Sequence, residues 1–261
     1  MAEIAYLNGR FVAPNEAVVS IEDRGFQFAD GVYEVVASFD ARPFALDRHL
    51  RRLQRSLDAL RIPLDTRAYG IEEIVGEAIG RSTSADTLVY IQITRGAASP
   101  RRHEFPAGAD PTVIITISPL APLGKEVVRD GVSCITVPDQ RWGRCDIKSV
   151  ALLPNVLARQ QAIEAEAFEA LLIDDRQRVM EGASTSSFCV HNGMVKTTPL
   201  SSAILPGITR ELILEVAPPL EIRISEADCY LDDYLNAEEV FIAGTSIDTL
   251  AVVRLDDRTI G

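Results

Sequence analysis

Lysine is scarce in this chain, so the place of each one carries information. Of 26 lysines and arginines, only Lys125, Lys148 and Lys196 are lysine. Lys148 sits in Cys145-Asp146-Ile147-Lys148-Ser149-Val150-Ala151-Leu152-Leu153. An amine among aliphatic side chains loses hydration, which disfavours its charged form, lowers its pKa and makes it nucleophilic near neutral pH. The competing reading is a lysine at a strand end whose ammonium snorkels to water. Glu181 opens a second segment, Glu181-Gly182-Ala183-Ser184-Thr185-Ser186-Ser187-Phe188. A carboxylate there can pair with a cationic ring or an amine while the hydroxyls meet ligand oxygens. A turn glycine with an acidic flank explains the same residues equally well.

Two further segments can hold an anion. Pro206-Gly207-Ile208-Thr209-Arg210 opens a predicted helix, whose first N–H groups and hydroxyl would face a negative charge. Gly244-Thr245-Ser246 follows a predicted strand and can present N–H and hydroxyl donors in the same way. Each is weak alone, because Pro-Gly before a helix commonly serves only to start it. Beside a nucleophilic lysine, the pair points to a phosphorylated carbonyl cofactor. The stretch Arg95 to Pro106 gathers Arg95, Arg101, Arg102 and His103 in an otherwise acidic chain. Arginine suits bidentate carboxylate recognition, and a solvated loop that balances charge is the alternative. In His49-Leu50-Arg51-Arg52-Leu53-Gln54-Arg55 the cationic face is expected to be solvated, with at most one arginine turned inward.

The elements that must position these residues follow from hydrophobic period and turn chemistry. Asn8-Gly9 between Ile4–Leu7 and Arg10–Ala13 predicts a hairpin. Val32–Phe39 reads as a strand. Asp47 is the expected N-cap of a helix marked by Leu50, Leu53, Leu57 and Leu60. Ile71, Ile74, Val75, Ala78 and Ile79 mark a second helix, and Thr87–Thr94 and Thr112–Ser118 two strands separated by a long polar loop. Past Pro119–Gly124 the expected elements are a strand at Val132–Val137, a helix at Pro154–Ala167 and a strand at Ala170–Asp174. They continue with Val179–Val190 and Met194–Thr197 about a His191-Asn192-Gly193 turn, a helix at Ile208–Ala217, and strands at Glu239–Ala243 and Ala251–Leu255. Strands and helices alternate without a regular βαβ rhythm, which predicts an α+β or mixed α/β fold. The expected domains are 1–118, a linker at 119–124, and 125–261.

Composition narrows the function classes. Hydrophobic residues make up 47% and charged residues 25%, which excludes disordered and fibrous architectures. A formal charge of -12 argues against a general nucleic-acid partner. No apolar run has the length of a membrane span, and no signal peptide is expected at the N-terminus. Cys134, Cys145, Cys189 and Cys229 form no CxxC pair and point to reduced thiols in a cytoplasmic protein. His49, His103 and His191 are too far apart for a metal motif, so no metal is expected.

Assembled, the motifs resemble the fold-type IV pyridoxal-phosphate enzymes, and within them the D-amino acid aminotransferases. The resemblance runs through Glu22 to Glu34, His49 to Leu53, Ser99-Pro100-Arg101-Arg102-His103, Arg144 to Ser149, Glu181 to Ser184, Gly207 to Arg210 and Gly244 to Ser246. It implies a two-domain fold, pyridoxal 5'-phosphate as cofactor, and transfer of the amino group between D-amino acids and 2-oxo acids. It implies Lys148 as the amine that forms a Schiff base with the cofactor aldehyde and then carries a proton, and Glu181 as the partner of the pyridine nitrogen. Arg52, Ile208, Thr209, Thr245 and Ser246 would hold the phosphate, Leu205 would pack on the ring, and Ser184 would lie near the substrate. Tyr33, Arg101 and His103 match the trap for the substrate α-carboxylate, and the loop bearing the last two would reach in from a second subunit of a homodimer. Branched-chain L-amino acid aminotransferases, (R)-amine transaminases and 4-amino-4-deoxychorismate lyases share the fold but resemble this chain less in the Arg101–His103 loop. The chain departs from the family at Ser186, where asparagine is common, at Arg102, where a small residue is common, and after its last strand, where a further helix is usual.

Overall fold

A computed structural model describes residues 2–261, which divide into two compact units. The first holds the chain up to Ala121 together with Ile147–Ala151; the second holds Pro122–Asp146 and Leu152–Gly261. The first unit contains β1 (Ile4–Leu7), β2 (Arg10–Val12), α1 (Arg24–Phe28), β3 (Gly31–Phe39), β4 (Arg42–Pro43), α2 (Leu46–Leu60), α3 (Thr66–Tyr69), α4 (Ile71–Gly80), β5 (Thr87–Thr94) and β6 (Thr112–Pro119). Its strands form one antiparallel sheet in the order β2-β1-β6-β5-β3-β4. The hairpin at Asn8-Gly9 forms as expected: Leu7 pairs with Arg10, and both turn residues have positive φ (44° and 95°), a conformation Asn and Gly adopt readily.

Period and packing agree on the core face of this sheet. Val32 and Val36 of β3, Val89, Ile91 and Ile93 of β5, and Val113, Ile115 and Ile117 of β6 are buried and alternate along their strands. Leu53 and Leu57 of α2 and Ile71, Val75 and Ala78 of α4 cover them at helical spacing. Burying each such aliphatic side chain stabilises the fold by about 1.5–3 kcal/mol.

The second unit contains α5 (Lys125–Asp130), β7 (Val132–Pro138), α6 (Leu153–Glu164), β8 (Glu169–Ile173), β9 (Val179–Gly182), β10 (Ser186–His191), β11 (Met194–Thr197), α7 (Ile208–Val216), β12 (Arg223–Glu226), α8 (Leu231–Leu235), β13 (Glu239–Gly244), β14 (Asp248–Leu255) and β15 (Arg258–Thr259). Its sheet runs β12-β11-β10-β13-β14-β7-β8-β9, with β15 on β14. The pairs β11–β12, β14–β7 and β7–β8 are parallel and the others antiparallel. The whole is the mixed α/β architecture that the sequence predicts. No helix among the described residues is long and apolar enough to cross a membrane.

Three boundaries differ from the sequence reading, each for a local reason. Ile147–Ala151 belongs to the first unit, although it follows the linker by more than twenty residues. Ser149 bridges Val32, the Tyr33 N–H donates to the Lys148 carbonyl at 2.9 Å, and Ile147 enters the apolar core under β3. Asp47 is not the N-cap of α2: the helix starts at Leu46 after Ala45 in the left-handed region (φ 51°), without a side-chain cap. Asp47 lies in the first turn and pairs with Arg51, an i,i+4 contact on the solvent face. The expected strand at Val179–Val190 is two strands, because Gly182 and Thr185 close a turn through a 2.7 Å bond from the Gly182 N–H to the Thr185 carbonyl.

Gly31 joins β3 to this crossing segment: its carbonyl accepts from the Val150 N–H at 3.0 Å. A Cβ there would stand 2.9 Å from the Ile93 carbonyl oxygen and 3.1 Å from the Thr94 Cα, both main-chain atoms that cannot rotate away. Gly31→Ala is therefore expected to destabilise the protein by about 1–3 kcal/mol, read as a lower urea midpoint.

Candidate functional site

The first unit gathers one group of candidate residues about β3 and α2. Alternation on β3 places Glu34 on the same buried face as Val32 and Val36, so a carboxylate stands in the apolar core with its side chain fully enclosed. Such an ion needs partners. Arg52 of α2 supplies two hydrogen bonds, Nε to Oε1 at 2.7 Å and Nη2 to Oε2 at 2.8 Å. His49, one turn earlier on the same helix face, places Nδ1 2.7 Å from Oε2. Burial alone would raise the Glu34 pKa; the Arg52 charge, the hydrogen bonds from Arg52 and His49 and the Lys148 charge outweigh it and hold the carboxyl at about 2. Of the arginines from 51 to 55, Arg52 is buried while Arg51 and Arg55 face solvent, in line with the single inward arginine expected.

Lys148 is half-buried beside this cluster. Its Nζ lies 4.3 Å from the centroid of the Tyr33 ring. Its backbone is fixed at both ends of the peptide unit: the N–H donates to Ser56 Oγ at 3.2 Å, and the carbonyl accepts from Tyr33. Ser56 lies one turn beyond Arg52 on α2, so one helix positions both the buried ion pair and the lysine backbone. Tyr33 in turn stacks on Tyr90, with centroids 5.7 Å apart. Arg101, Arg102 and His103 are exposed in an irregular loop. The Arg101 guanidinium lies 4.2 Å above the Phe28 ring, His103 meets the same ring edge-on at 5.4 Å, and Arg102 reaches Glu104 at 3.4 Å.

The second unit gathers the other group. Glu181 lies next to the end of β9 with 7% of its surface exposed. Both carboxylate oxygens accept from the Leu205 N–H, at 3.1 and 3.2 Å, and Arg141 donates to Oε1. Arg141 also holds Asp139 through two contacts at 3.0 and 2.8 Å and donates to the Ala203 carbonyl. Burial disfavours its charge, but the Asp139 and Glu181 carboxylates more than compensate and raise its pKa above the ordinary arginine value. Ser184 is exposed, and its hydroxyl donates to the buried carboxylate of Glu169 at 2.7 Å.

Glycines bring the anion-binding candidates together. A Cβ on Gly207 would stand 2.7 Å from Ser186 Oγ, so a glycine lets the start of α7 approach β10. Ser186 pairs with Ala243 of β13, and the turn Gly244-Thr245-Ser246 follows at once. A Cβ on Gly182 would lie 2.1 Å from Thr185 Oγ1, an oxygen that is buried without a hydrogen-bond partner. The N-terminus of α7 has no side-chain cap, with Ile208 buried and Thr209 half-buried at its first turn. Uncapped helix N–H groups, the hydroxyls of Thr209, Thr245 and Ser246, and an unpartnered buried Thr185 hydroxyl are groups that could donate to a phosphate. Leu205 and its bond to Glu181 lie three residues before Ile208, so the carboxylate and the donors share one short stretch of chain. These residues fit pyridoxal phosphate. A separate groove of about 490 Å³ on this unit runs along β13 and β14, lined by Ile213, Phe241, Leu250, Val252 and Ile260, and contains none of the residues singled out from the sequence. No cluster of metal-ligating side chains is present among the described residues.

Sequence reasoning missed Glu34 and Arg141. The signal for Glu34 was present: in Gly31-Val32-Tyr33-Glu34-Val35-Val36, alternation sets a carboxylate among inward valines, which demands a cation. Arg141 carried no such signal, because its partners Asp139, Glu181 and Ala203 come from separated segments.

Comparison with known proteins gives the family. The model of the family described as amino-transferase class IV matches residues 31–255. The D-alanine aminotransferase of Bacillus licheniformis is 40% identical over 254 residues, covering 97% of this chain and 89% of its own. That of Staphylococcus haemolyticus is 35% identical over 257 residues, covering 98% and 90%. Among solved structures, a T.th. branched-chain amino acid aminotransferase with pyridoxamine 5'-phosphate superposes with a TM-score of 0.90 at 28% identity, over 100% of this chain and 88% of its own. The branched-chain enzyme of Escherichia coli gives 0.90 at 25%, over 100% and 89%. The chain belongs to the class IV aminotransferases.

The Glu34 cluster has a pH signature. A folded pKa near 2 against the ordinary 4.5 means that the carboxyl stabilises the fold at and above pH 5, and that this contribution is lost as pH falls from about 5 towards 2. At full depression the shift corresponds to about 3 kcal/mol. Unfolding free energy measured between pH 6 and 3 is expected to drop more steeply in the wild type than in Glu34→Gln, which is less stable at pH 6.

Proposed function

We propose that this aminotransferase moves amino groups between D-amino acids of the D-alanine and D-glutamate type and 2-oxo acids, and that Lys148 is its reactive amine. The observation that carries the reading is the setting of Lys148. Of three lysines, it alone lies on the Tyr33 ring beside the buried Glu34–Arg52 pair; Lys125 is exposed and Lys196 lies 3.8 Å from Asp233. The higher identity to D-alanine aminotransferases than to branched-chain enzymes supports the D-amino acid side of the reading.

Pyridoxal phosphate supplies an aldehyde that condenses with amines and a ring that accepts the electron pair left when a carbon loses its proton. The residues of the chain do the rest. Lys148 would hold the cofactor aldehyde, and its Nζ would take and return the substrate proton. Its backbone is tied to Ser56 and Tyr33, which would fix where that amine stands. Glu181, paired with Arg141, would face the ring nitrogen and hold its proton. The start of α7 with Thr209 and the turn at Thr245 and Ser246 would hold the phosphate, and the family resemblance adds Arg52 to them. Leu205 packs on the ring, and Ser184 lies towards the substrate.

Tyr33, Arg101 and His103 bind the α-carboxylate. With the substrate nitrogen fixed and its hydrogen turned towards Lys148, two substituents remain to be placed. The side that takes the carboxylate thus decides which enantiomer reacts. We read the protein as a cytoplasmic homodimer in which the Arg101–His103 loop serves the neighbouring subunit.

Two measurements test this. D-alanine with 2-oxoglutarate should give pyruvate and D-glutamate, and borohydride reduction should leave a pyridoxyl adduct on the Lys148 peptide that Lys148→Ala lacks. An adduct on Lys125 or Lys196 instead would refute the assignment. Arg101→Ala should lower kcat/KM for D-alanine by the equivalent of roughly 2–4 kcal/mol, as for loss of a bidentate charged contact. The same variant should leave (R)-1-phenylethylamine, which has no carboxylate, nearly unaffected. Equal losses for both substrates would assign the loop a structural role only.

A further inference from the structure

The loop that bears Arg101 and His103 is held in place by the short helix α1. Asp23 caps α1 by accepting from the Gly25 N–H at 2.8 Å. Its other oxygen accepts from the hydroxyls of Thr94 at 2.9 Å and Thr112 at 2.7 Å, which pins the helix to the ends of β5 and β6. A Cβ on Gly25 would collide with Thr94 Cγ2 at 2.3 Å, so this close seat requires glycine. Arg24, 5% exposed, turns its guanidinium towards the loop. Nε donates to Asp30 at 2.8 Å, Nη1 to the carbonyls of Arg102 at 2.6 Å and Glu104 at 3.4 Å, and Nη2 to the carbonyl of His103 at 3.2 Å. Three successive loop carbonyls thus converge on one buried cation. Asp30 also accepts two bonds from Arg95, whose guanidinium lies 3.7 Å above the Phe105 ring at the far end of the loop.

The loop backbone is therefore fixed, but exposed side chains need a further constraint to point in one direction. Phe28, the last residue of α1, offers it. The Arg101 guanidinium lies 4.2 Å from its ring centroid, the Arg24 guanidinium 4.7 Å, and the His103 ring meets it edge-on. A cation on an aromatic face and an edge-to-face ring pair both carry preferred geometries.

We propose that Phe28 is a positioning residue for substrate recognition, its ring fixing the directions in which Arg101 and His103 present their nitrogens to a substrate carboxylate. The inference rests on the reading of Arg101 and His103 as carboxylate-binding residues. Phe28 touches neither substrate nor cofactor in this role: it restricts the rotamers of two residues that do, so that less conformational freedom is lost when carboxylate binds.

The test compares Phe28→Leu, Phe28→Tyr, Arg101→Ala and the double variant Phe28→Leu/Arg101→Ala in the holoenzyme. Phe28→Leu keeps apolar bulk without a π face. It is expected to raise the KM for D-alanine and the inhibition constant of propionate, a carboxylate without an amine, by about 3- to 30-fold, the range of a cation–aromatic contact. Its kcat at saturation should stay within about twofold of wild type. Phe28→Tyr should restore both constants, and adding Phe28→Leu to Arg101→Ala should raise the KM by less than it does in the wild type, because part of the ring's effect passes through that arginine. If Arg101→Ala raises the KM and Phe28→Leu does not, or if the two effects add in full, this inference is overturned while the carboxylate reading stands. If Arg101→Ala leaves the KM unchanged, the carboxylate reading itself falls and takes the inference with it.

Discussion

The first unit is organised around the burial of a single carboxylate. Glu34 stands on the apolar face of β3 with its oxygens 2.7–2.8 Å from Arg52 and His49. Removing one partner from such a pair typically costs about 3–5 kcal/mol, because the remaining charge is stranded. The fork of Arg52 accepts only one orientation against the carboxylate, so the rotation and height of α2 on the sheet are specified as well as its contact with it. Leu53 and Leu57 fill the apolar surface that this rotation turns inward, and Ser56 arrives where it can receive the Lys148 N–H. An apolar residue at position 34 could pack as densely, yet it would fix α2 only through shape. The ion pair adds direction, and through Ser56 that direction extends to the Lys148 backbone.

The second unit solves a similar problem with less burial. Glu181 is held by a main-chain N–H and by Arg141, which Asp139 restrains in turn. The acid–base–acid chain Asp139–Arg141–Glu181 keeps the guanidinium from swinging away, and the bond to the Ala203 carbonyl ties it to the stretch that ends at the start of α7. The carboxylate and the phosphate donors are thereby set by one run of chain, Ala203 to Thr209, and by the turn that Gly182 allows. Glycines at 182 and 207 matter here because of what stands opposite them, Thr185 Oγ1 and Ser186 Oγ, and not because of an unusual φ.

Much of this was legible in the sequence, and the limits of legibility are physical. Local rules found what local physics decides: the hairpin at Asn8-Gly9, the stripe of α2 leucines, and the small-residue turn at Gly244. Motif likeness singled out Lys148, Glu181 and the expected phosphate donors. What escaped depends on distant segments meeting. Ile147–Ala151 joins the first unit through pairing with β3, more than a hundred residues upstream, and no window of sequence contains both partners. The cap of α2 was misplaced because an acidic residue in the first turn of a helix looks like an N-cap, while the actual start uses a left-handed alanine with no side-chain signal. The role of Arg24 had no local signal, because its loop carbonyl partners lie nearly eighty residues away.

The scarcity of lysine ties these observations together. Structural cations in this protein must stay charged while buried, and arginine, with a pKa above 12 and five donors in a fixed fork, does that where an ammonium would tend to lose its proton. Arg24, Arg52, Arg95 and Arg210 are all buried, and Arg141 nearly so; no lysine among the described residues joins them. The property that disqualifies lysine as a buried strut, its readiness to give up a proton when desolvated, is the one a nucleophilic amine requires. Assigning structural charge to arginine leaves lysine free for chemistry. A guanidinium held in its protonated form has no free electron pair to offer, so the buried arginines are poor nucleophiles.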